Sequence, residues 1–278
     1  MIATPPVVLS VAGTDSGGAA GLAADLATCA AHGVHGACVV TAVTAQDTTG
    51  VHGVHPVPLE VVVAQLDAVL ADLPVAAVKT GVLGTPAVVG LLADRLAGGP
   101  PLVVDPVLVA TSGAVLGGGE VVAAYRERLL PVAAVATPNL AEARALLGPG
   151  ADDLPVPDVA AGLTGLGCAV VLTGGPDLDR PGEVVDWLAR PGRLPVAVPH
   201  PLVDTEHDHG SGCTFSAAMA CAIAAGAALE EAASRAAAYT TAQLRTSATW
   251  SLGRGRGPVA HTHPTDPVRP THLTRGER

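Results

Sequence analysis

The stretch VVLSVAGTDSGGAAGLAADLATCAAH (7–32) decides the fold. It opens on a Val-rich apolar run, Val7–Val11, breaks at a Gly-rich turn over 13–21, and continues over 22–32 as an Ala/Leu segment of helical period. Apolar strand, tight turn and helix make the first half of a βαβ unit. The same order recurs down the chain. Ala37–Thr44 reads as a second strand, and Ala76–Lys79 and Leu102–Asp105 follow helices predicted near 58–72 and 86–97. Ala133–Thr137 precedes Pro138-Asn139 and a helix through Leu147, and Ala169–Thr173 ends at Gly174-Gly175. Strands that are apolar on both faces and alternate with helices predict a doubly wound α/β fold, a mostly parallel sheet with helices on both faces. One domain over 1–263 is expected, with surface loops at 149–158 and 190–197 and a disordered Pro- and Thr-rich tail over 264–278.

Composition sets what such a fold can do. Of 278 residues, 49% are hydrophobic and 14% charged, and mean hydropathy is +0.45; a disordered chain is excluded, since an average globular protein carries roughly 25% charge. Aromatics are 2%, so the core must be Val, Leu and Ala, and stacking platforms for single-stranded nucleic acid are excluded. A net charge of −10 repels phosphate backbones, so an anionic ligand needs a local device. Fourteen of the fifteen cationic residues are Arg, and Lys79 is the only lysine. Five cysteines with no C-x-x-C pair read as reduced thiols, and the N-terminus lacks the basic region of a signal peptide; a cytoplasmic protein is expected. The twenty uncharged residues from Gly210 to Leu229 are rich in Ala, Gly and Ser, which suits a buried helix better than a bilayer span.

In a doubly wound sheet the ligand lies beyond the carboxyl ends of the strands. Those ends carry Asp15, Gln46, Lys79, Asp105, Asn139 and Gly174. Three Gly-rich segments could hold phosphate there. A Walker A loop is excluded, because Val78 precedes the only Lys-Thr pair, and 13–21 contains no G-x-G-x-x-G. Gly253-Arg254-Gly255-Arg256-Gly257-Pro258 has no strong strand before it. Gly210-Ser211-Gly212-Cys213 stands immediately before the long uncharged helix, where backbone N–H groups and the helix dipole form an anion hole without lysine. The same field is expected to lower the pKa of Cys213 below that of a free thiol, about 8.5.

Gly210-Ser211-Gly212-Cys213 resembles the GxGD anion-hole motif of the ribokinase-like superfamily, with Cys in place of the Asp base. Together with Ala12–Gly21, Ala45-Gln46-Asp47-Thr48, Lys79-Thr80-Gly81, Asp105-Pro106-Val107 and Thr137-Pro138-Asn139-Leu140-Ala141-Glu142, it resembles the hydroxymethylpyrimidine kinase / hydroxymethylpyrimidine phosphate kinase family of thiamine biosynthesis. The resemblance implies ATP- and Mg²⁺-dependent phosphorylation of 4-amino-5-hydroxymethyl-2-methylpyrimidine and then of its monophosphate, by a homodimer. It gives Asp25, Gln46, Gly13, Val82 and Val107 to the pyrimidine and Asn139, Thr173, Gly175 and Lys79 to the nucleotide. Asp105 and Glu142 fall to Mg²⁺, and Cys213, with Gly210, Ser211 and Gly212, to catalysis.

Four departures from the family pattern stand out. Thr173-Gly174-Gly175 replaces Lys-Gly-Gly and Thr111-Ser112-Gly113 replaces Lys-Ser-Gly, so two phosphate-facing cations are absent. Asp15 stands where Pro is usual, and Val82 where Met is frequent. The alternatives are a pyridoxal or pyridoxine kinase, a non-catalytic pyrimidine-binding protein, and a thiol hydrolase with Cys213 and His207 or His209. A zinc site at His207 and His209 lacks a third ligand at a known spacing.

Overall fold

The computed structural model describes residues 4–108, 117–174 and 181–262. Among these are β1 (Val7–Ala12), α1 (Gly21–Ala31), β2 (His35–Val40), β3 (Ala42–Asp47), β4 (Gly50–Pro56), α2 (Leu59–Asp72), β5 (Val75–Thr80), α3 (Pro86–Leu96) and β6 (Leu102–Val104). There follow α4 (Gly119–Ala124), β7 (Val135–Ala136), α5 (Leu140–Leu147), α6 (Val156–Leu163), β8 (Ala169–Leu172), β9 (Glu183–Ala189), β10 (Val196–Pro201), α7 (Ser211–Ala224) and α8 (Leu229–Ser247). One sheet runs in the order β10-β9-β8-β7-β6-β5-β1-β2, parallel from β2 to β8, with β9 and β10 antiparallel at one edge.

Alternation along the parallel strands divides the core. Val7, Leu9, Val11, Leu102 and Val104 pack on one face with α2, α3, α5 and α6; Val8, Ala77, Val103 and Val135 pack on the other with α7 and α8. Both faces are covered, which is the doubly wound arrangement expected from the sequence. The uncharged stretch after Gly210 is α7, whose nine buried residues from Thr214 to Ala222 explain why it carries no charge. No helix among the described residues is long and apolar enough to cross a membrane.

The direction of strand addition reverses at β1, which lies between β2 and β5. The crevice at that switch point is where the fold presents a ligand site.

Three readings are corrected. The strand expected at 37–44 is two strands in different sheets. At Thr41 the chain leaves β2, its N–H donating to Ala12 O (3.0 Å) and its hydroxyl to Val82 O (2.5 Å), and β3 then pairs with β4 as a separate antiparallel hairpin. The expected loop 149–158 already contains the start of α6, with Pro155 at its N-cap. The expected loop 190–197 ends in β10, an edge strand that accommodates Pro199 and Pro201. The tail at 264–278, Gly175 and the 111–113 segment lie outside the described residues.

Candidate active site

A cavity of about 460 Å³ opens at the carboxyl ends of β1, β5, β6, β7 and β8. Its first wall is the loop after β1. Asp15 shapes it by accepting the N–H groups of Gly17 (2.8 Å), Ala19 (3.1 Å) and Ala20 (2.9 Å). Burial pulls the Asp15 carboxyl up, but His209 and these amides outweigh it and hold the pKa below the usual carboxylate value. At Gly21 (φ 55°) a Cβ would stand 2.4 Å from Gly13 O, so the loop turns back on itself only with glycine there.

The second wall is the start of α7. Gly210 (φ 91°) lies so close to the first loop that a Cβ would sit 1.8 Å from Ala19 O. This contact sets the 210–213 turn against the loop. The Ser211 N–H is taken by Asp208 O (3.0 Å) and that of Thr214 by Gly210 O (2.9 Å). Among the described residues the N–H groups of Gly212 and Cys213 meet no protein acceptor, and both residues line the cavity. Two amides at the N-terminus of a 14-residue helix therefore face the cavity, fewer than the whole turn that the sequence suggests.

Gly13, Gln46, Val82, Val107, Asn139, Thr173, Gly210, Ser211, Gly212, Cys213, Asp105 and Glu142 all line this cavity. Asp25 and Lys79, which the resemblance gives to pyrimidine and nucleotide, are not among the lining residues. Lys79 is 0% exposed; its Nζ donates to Asp25 Oδ1 (2.9 Å) and Oδ2 (3.0 Å) and stands 3.8 Å from Asp105 Oδ2. Asp25 is also 0% exposed and accepts the Ser10 hydroxyl (2.5 Å). Burial works against the ammonium, yet the charges of Asp25, Cys213 and Asp105 and the hydrogen bonds to Asp25 together outweigh it and raise the Lys79 pKa. So enclosed, the pair stands behind Asp105 as a floor under the site.

Cys213 departs from expectation in the other sense. The residue is partly exposed, but its sulfur turns inward toward the Asp105 carboxylate and the Gly21 N–H, and burial pushes the thiol up to about 12. The helix dipole does not make a thiolate here. Since the pKa is raised, the nucleophilic form is absent at neutral pH and grows as pH climbs toward 12. Alkylation of Cys213 by iodoacetamide, followed by peptide mass spectrometry, is expected at pH 8 to run on the order of a thousandfold slower than for a free cysteine. Labelling at the free-thiol rate would restore the thiolate.

Asp105 and Glu142 form an acidic wall. Burial raises both; repulsion from Asp25 adds to it at Asp105 against the pull of Lys79, and repulsion from Asp105 adds to it at Glu142, which is pushed up to about 8. Asp105 accepts the Ser216 hydroxyl (3.1 Å). Glu142 and Asn139 make a reciprocal cap on α5: Asn139 N–H donates to Glu142 Oε2 (3.0 Å) and Glu142 N–H to Asn139 Oδ1 (2.9 Å). No lysine or arginine side chain lines the cavity among the described residues. Two carboxylates held above their ordinary pKa beside two free amides suit a divalent cation that arrives with phosphate oxygens, since Mg²⁺ is bound by one or two carboxylates plus substrate phosphates.

Three further polar groups take places at the cavity that the sequence does not assign to them. His209 Nε2 lies 3.2 Å from Asp15 Oδ2 and 2.7 Å from the Gln46 carboxamide, joining the first loop, the β3–β4 hairpin and the approach to α7. In the opposite arm of the cavity, Asp186 accepts the Gly174 N–H (2.8 Å) and faces His200 Nε2 (3.3 Å). No spacing in the sequence points to Asp186.

The sequence profile of phosphomethylpyrimidine kinase matches residues 15–260. This chain belongs to the phosphomethylpyrimidine kinase family. It is 45% identical over 260 residues to a hydroxymethylpyrimidine/phosphomethylpyrimidine kinase of Rhizobium meliloti, a match covering 92% of this chain and 97% of that protein. A protein of the same name from Haemophilus influenzae is 41% identical, covering 91% and 96%. Among solved structures, the ADP complex of Bacillus subtilis pyridoxal kinase superposes with a TM-score of 0.82 at 34% identity, covering 93% of this chain and 98% of that one. Phosphomethylpyrimidine kinase from Clostridium difficile gives 0.71 at 32% identity, covering 85% and 98%. As a member of the phosphomethylpyrimidine kinase family the chain is a phosphotransferase, with ATP as phosphoryl donor.

Proposed function

We propose that this chain transfers the γ-phosphoryl group of ATP to the hydroxymethyl oxygen of 4-amino-5-hydroxymethyl-2-methylpyrimidine, and then phosphorylates the monophosphate, in thiamine biosynthesis. The observation that carries the reading is the pair of unpartnered N–H groups at Gly212 and Cys213, opening into the cavity that Gln46, Val82 and Val107 line. A carboxamide both donates and accepts, so Gln46 can read an aminopyrimidine edge. Val82 and Val107 supply an apolar wall for the ring.

Phosphoryl transfer passes through a loose transition state, so positioning and charge neutralisation outweigh early deprotonation of the alcohol. The amides of Gly212 and Cys213 stabilise the charge on the transferred group. Cys213, as a neutral thiol, orients the attacking hydroxyl; as its O–P bond forms and the bond to the ADP oxygen breaks, the hydroxyl proton passes to an oxygen of the transferred phosphoryl group. Asp105 and Glu142 would hold Mg²⁺, which when bound neutralises phosphate charge.

A pyridoxal kinase remains the second reading, favoured by the fold similarity to the Bacillus subtilis enzyme. ADP release measured across hydroxymethylpyrimidine, its monophosphate and pyridoxal, with and without Mg²⁺, separates them. Turnover of both pyrimidines that needs Mg²⁺ and exceeds pyridoxal turnover is expected. Faster pyridoxal turnover would reverse the order, and pyrimidine binding with no ADP release would leave a binding protein.

Glu142 has a structural and a chemical task, and Glu142→Gln divides them. Gln at this position can still cap α5, so thermal unfolding is expected within about 0.5 kcal/mol of the parent. The Mg²⁺ concentration for half-maximal activity is expected to rise on the order of tenfold or more. An unchanged Mg²⁺ response would remove Glu142 from the metal site.

A further inference from the structure

The segment leading into the 210–213 turn is acidic, with Asp204, Glu206 and Asp208 in five positions. Asp208 lines the cavity two residues before Gly210, and its carbonyl is tied to the Ser211 N–H. A bare carboxylate there would oppose any phosphate arriving at the neighbouring amides.

Arg256 meets that carboxylate with two nitrogens, Nε to Oδ1 and Nη2 to Oδ2. It comes from the Gly-Arg-Gly-Arg-Gly segment at 253–257, whose place is fixed from several sides. The N–H groups of Arg254 and Gly255 donate to Thr48 Oγ1 (3.0 and 3.2 Å), His209 N–H donates to Gly257 O (3.1 Å), and Val259 N–H returns to His209 O (3.0 Å). A Cβ at Gly255 would lie 2.2 Å from Thr48 O, and one at Gly257 1.9 Å from His207 Nδ1. Only glycine permits that approach, so the backbone delivers the guanidinium to one spot. The bidentate fork then matches the carboxylate.

We propose that Arg256 is a positioning residue for the nucleotide: its pairing with Asp208 cancels the negative charge at the rim of the 210–213 turn and so lets phosphate oxygens reach the Gly212 and Cys213 amides. The inference rests on the phosphate-accepting reading of that turn. Asp15, Asp105, Glu142 and Asp186 also line the cavity, with no arginine or lysine among the described residues, so cancelling the acid nearest the turn lowers the repulsion that a phosphate meets there.

The test is initial-rate kinetics with ATP, Mg²⁺ and unphosphorylated hydroxymethylpyrimidine. Arg256→Gln is expected to raise KM for ATP about tenfold with kcat within about threefold. The defect is expected to shrink as ionic strength rises from about 0.05 to 0.5 M, because screening weakens repulsion from an exposed rim charge. Adding Asp208→Asn to Arg256→Gln removes the repelling carboxylate and is expected to return KM to within about threefold of the parent. Arg256→Lys, which keeps the charge, provides a milder variant should the glutamine form fold poorly, and its KM is expected to stay near the parent value. A normal KM in Arg256→Gln overturns the inference, as does a double variant no better than the single or a defect indifferent to salt. An inactive parent enzyme would instead overturn the reading of the turn.

Discussion

Lys79→Met is expected to lower the stability of the folded chain by about 3–5 kcal/mol, read as a drop in the urea midpoint at unchanged slope. The ammonium is enclosed with Asp25 on one side and Asp105 on the other, and methionine leaves the buried Asp25 carboxylate beside Asp105 without a counter-ion. Whole domains are stable by only about 5–15 kcal/mol, so much of the margin disappears. Adding Asp25→Asn to Lys79→Met removes one of the stranded charges and should recover a measurable part of the loss. The resemblance alone, which gives Lys79 to the nucleotide, leads to the opposite outcome: a normally stable Lys79→Met with a raised KM for ATP. The urea midpoint decides between a floor and a ligand.

That contrast marks how far the sequence could be read. The alternation of Val7, Leu9 and Val11 against Val8, and the break at Gly13, sufficed to place β1, its loop and α1, because a doubly buried strand has few other patterns. Depth was harder to see. Motif matching names Asp25 as a site residue, while Leu22, Asp25 and Cys29 fall at i, i+3 and i+7 on the buried face of α1, where an acid needs a partner. Lys79 gives the same signal, since it is the only lysine and follows the apolar run Val75–Val78 within its strand. At Cys213 the helix start is visible in sequence, whereas burial of its sulfur beside Asp105 comes from β6, more than a hundred residues earlier. The β3–β4 hairpin and the edge strand β10 were missed or misread because strands exposed along part of their length lose the continuous apolar run that identifies the rest.

Gly210→Ala tests the turn itself, and it is expected to lower kcat on the order of 100- to 1,000-fold, as loss of an oriented oxyanion donor does. Two costs coincide at this residue. Its φ of 91° disfavours any side chain, and the new methyl group would lie 1.8 Å from Ala19 O, so the turn and the first loop must part. The displacement falls on the residues that present the Gly212 and Cys213 amides, while the core of α7 from Thr214 onward stays packed against the sheet. Activity should therefore fall far more than stability, with melting temperature measured on the same samples. Thr214→Val is the gentler form of the same experiment. The Thr214 hydroxyl donates to Gly210 O (2.8 Å) beside its own N–H and meets His261 Nε2 (2.9 Å), so valine removes one of the two ties on the turn together with the contact to His261. An intermediate loss of roughly tenfold is expected, the effect of about one hydrogen bond of 1.4 kcal/mol. A folded Gly210→Ala that keeps kcat within about threefold would show that these amides do not bear the transferred charge, and the transition state would then have to be held by the acidic wall and its cation.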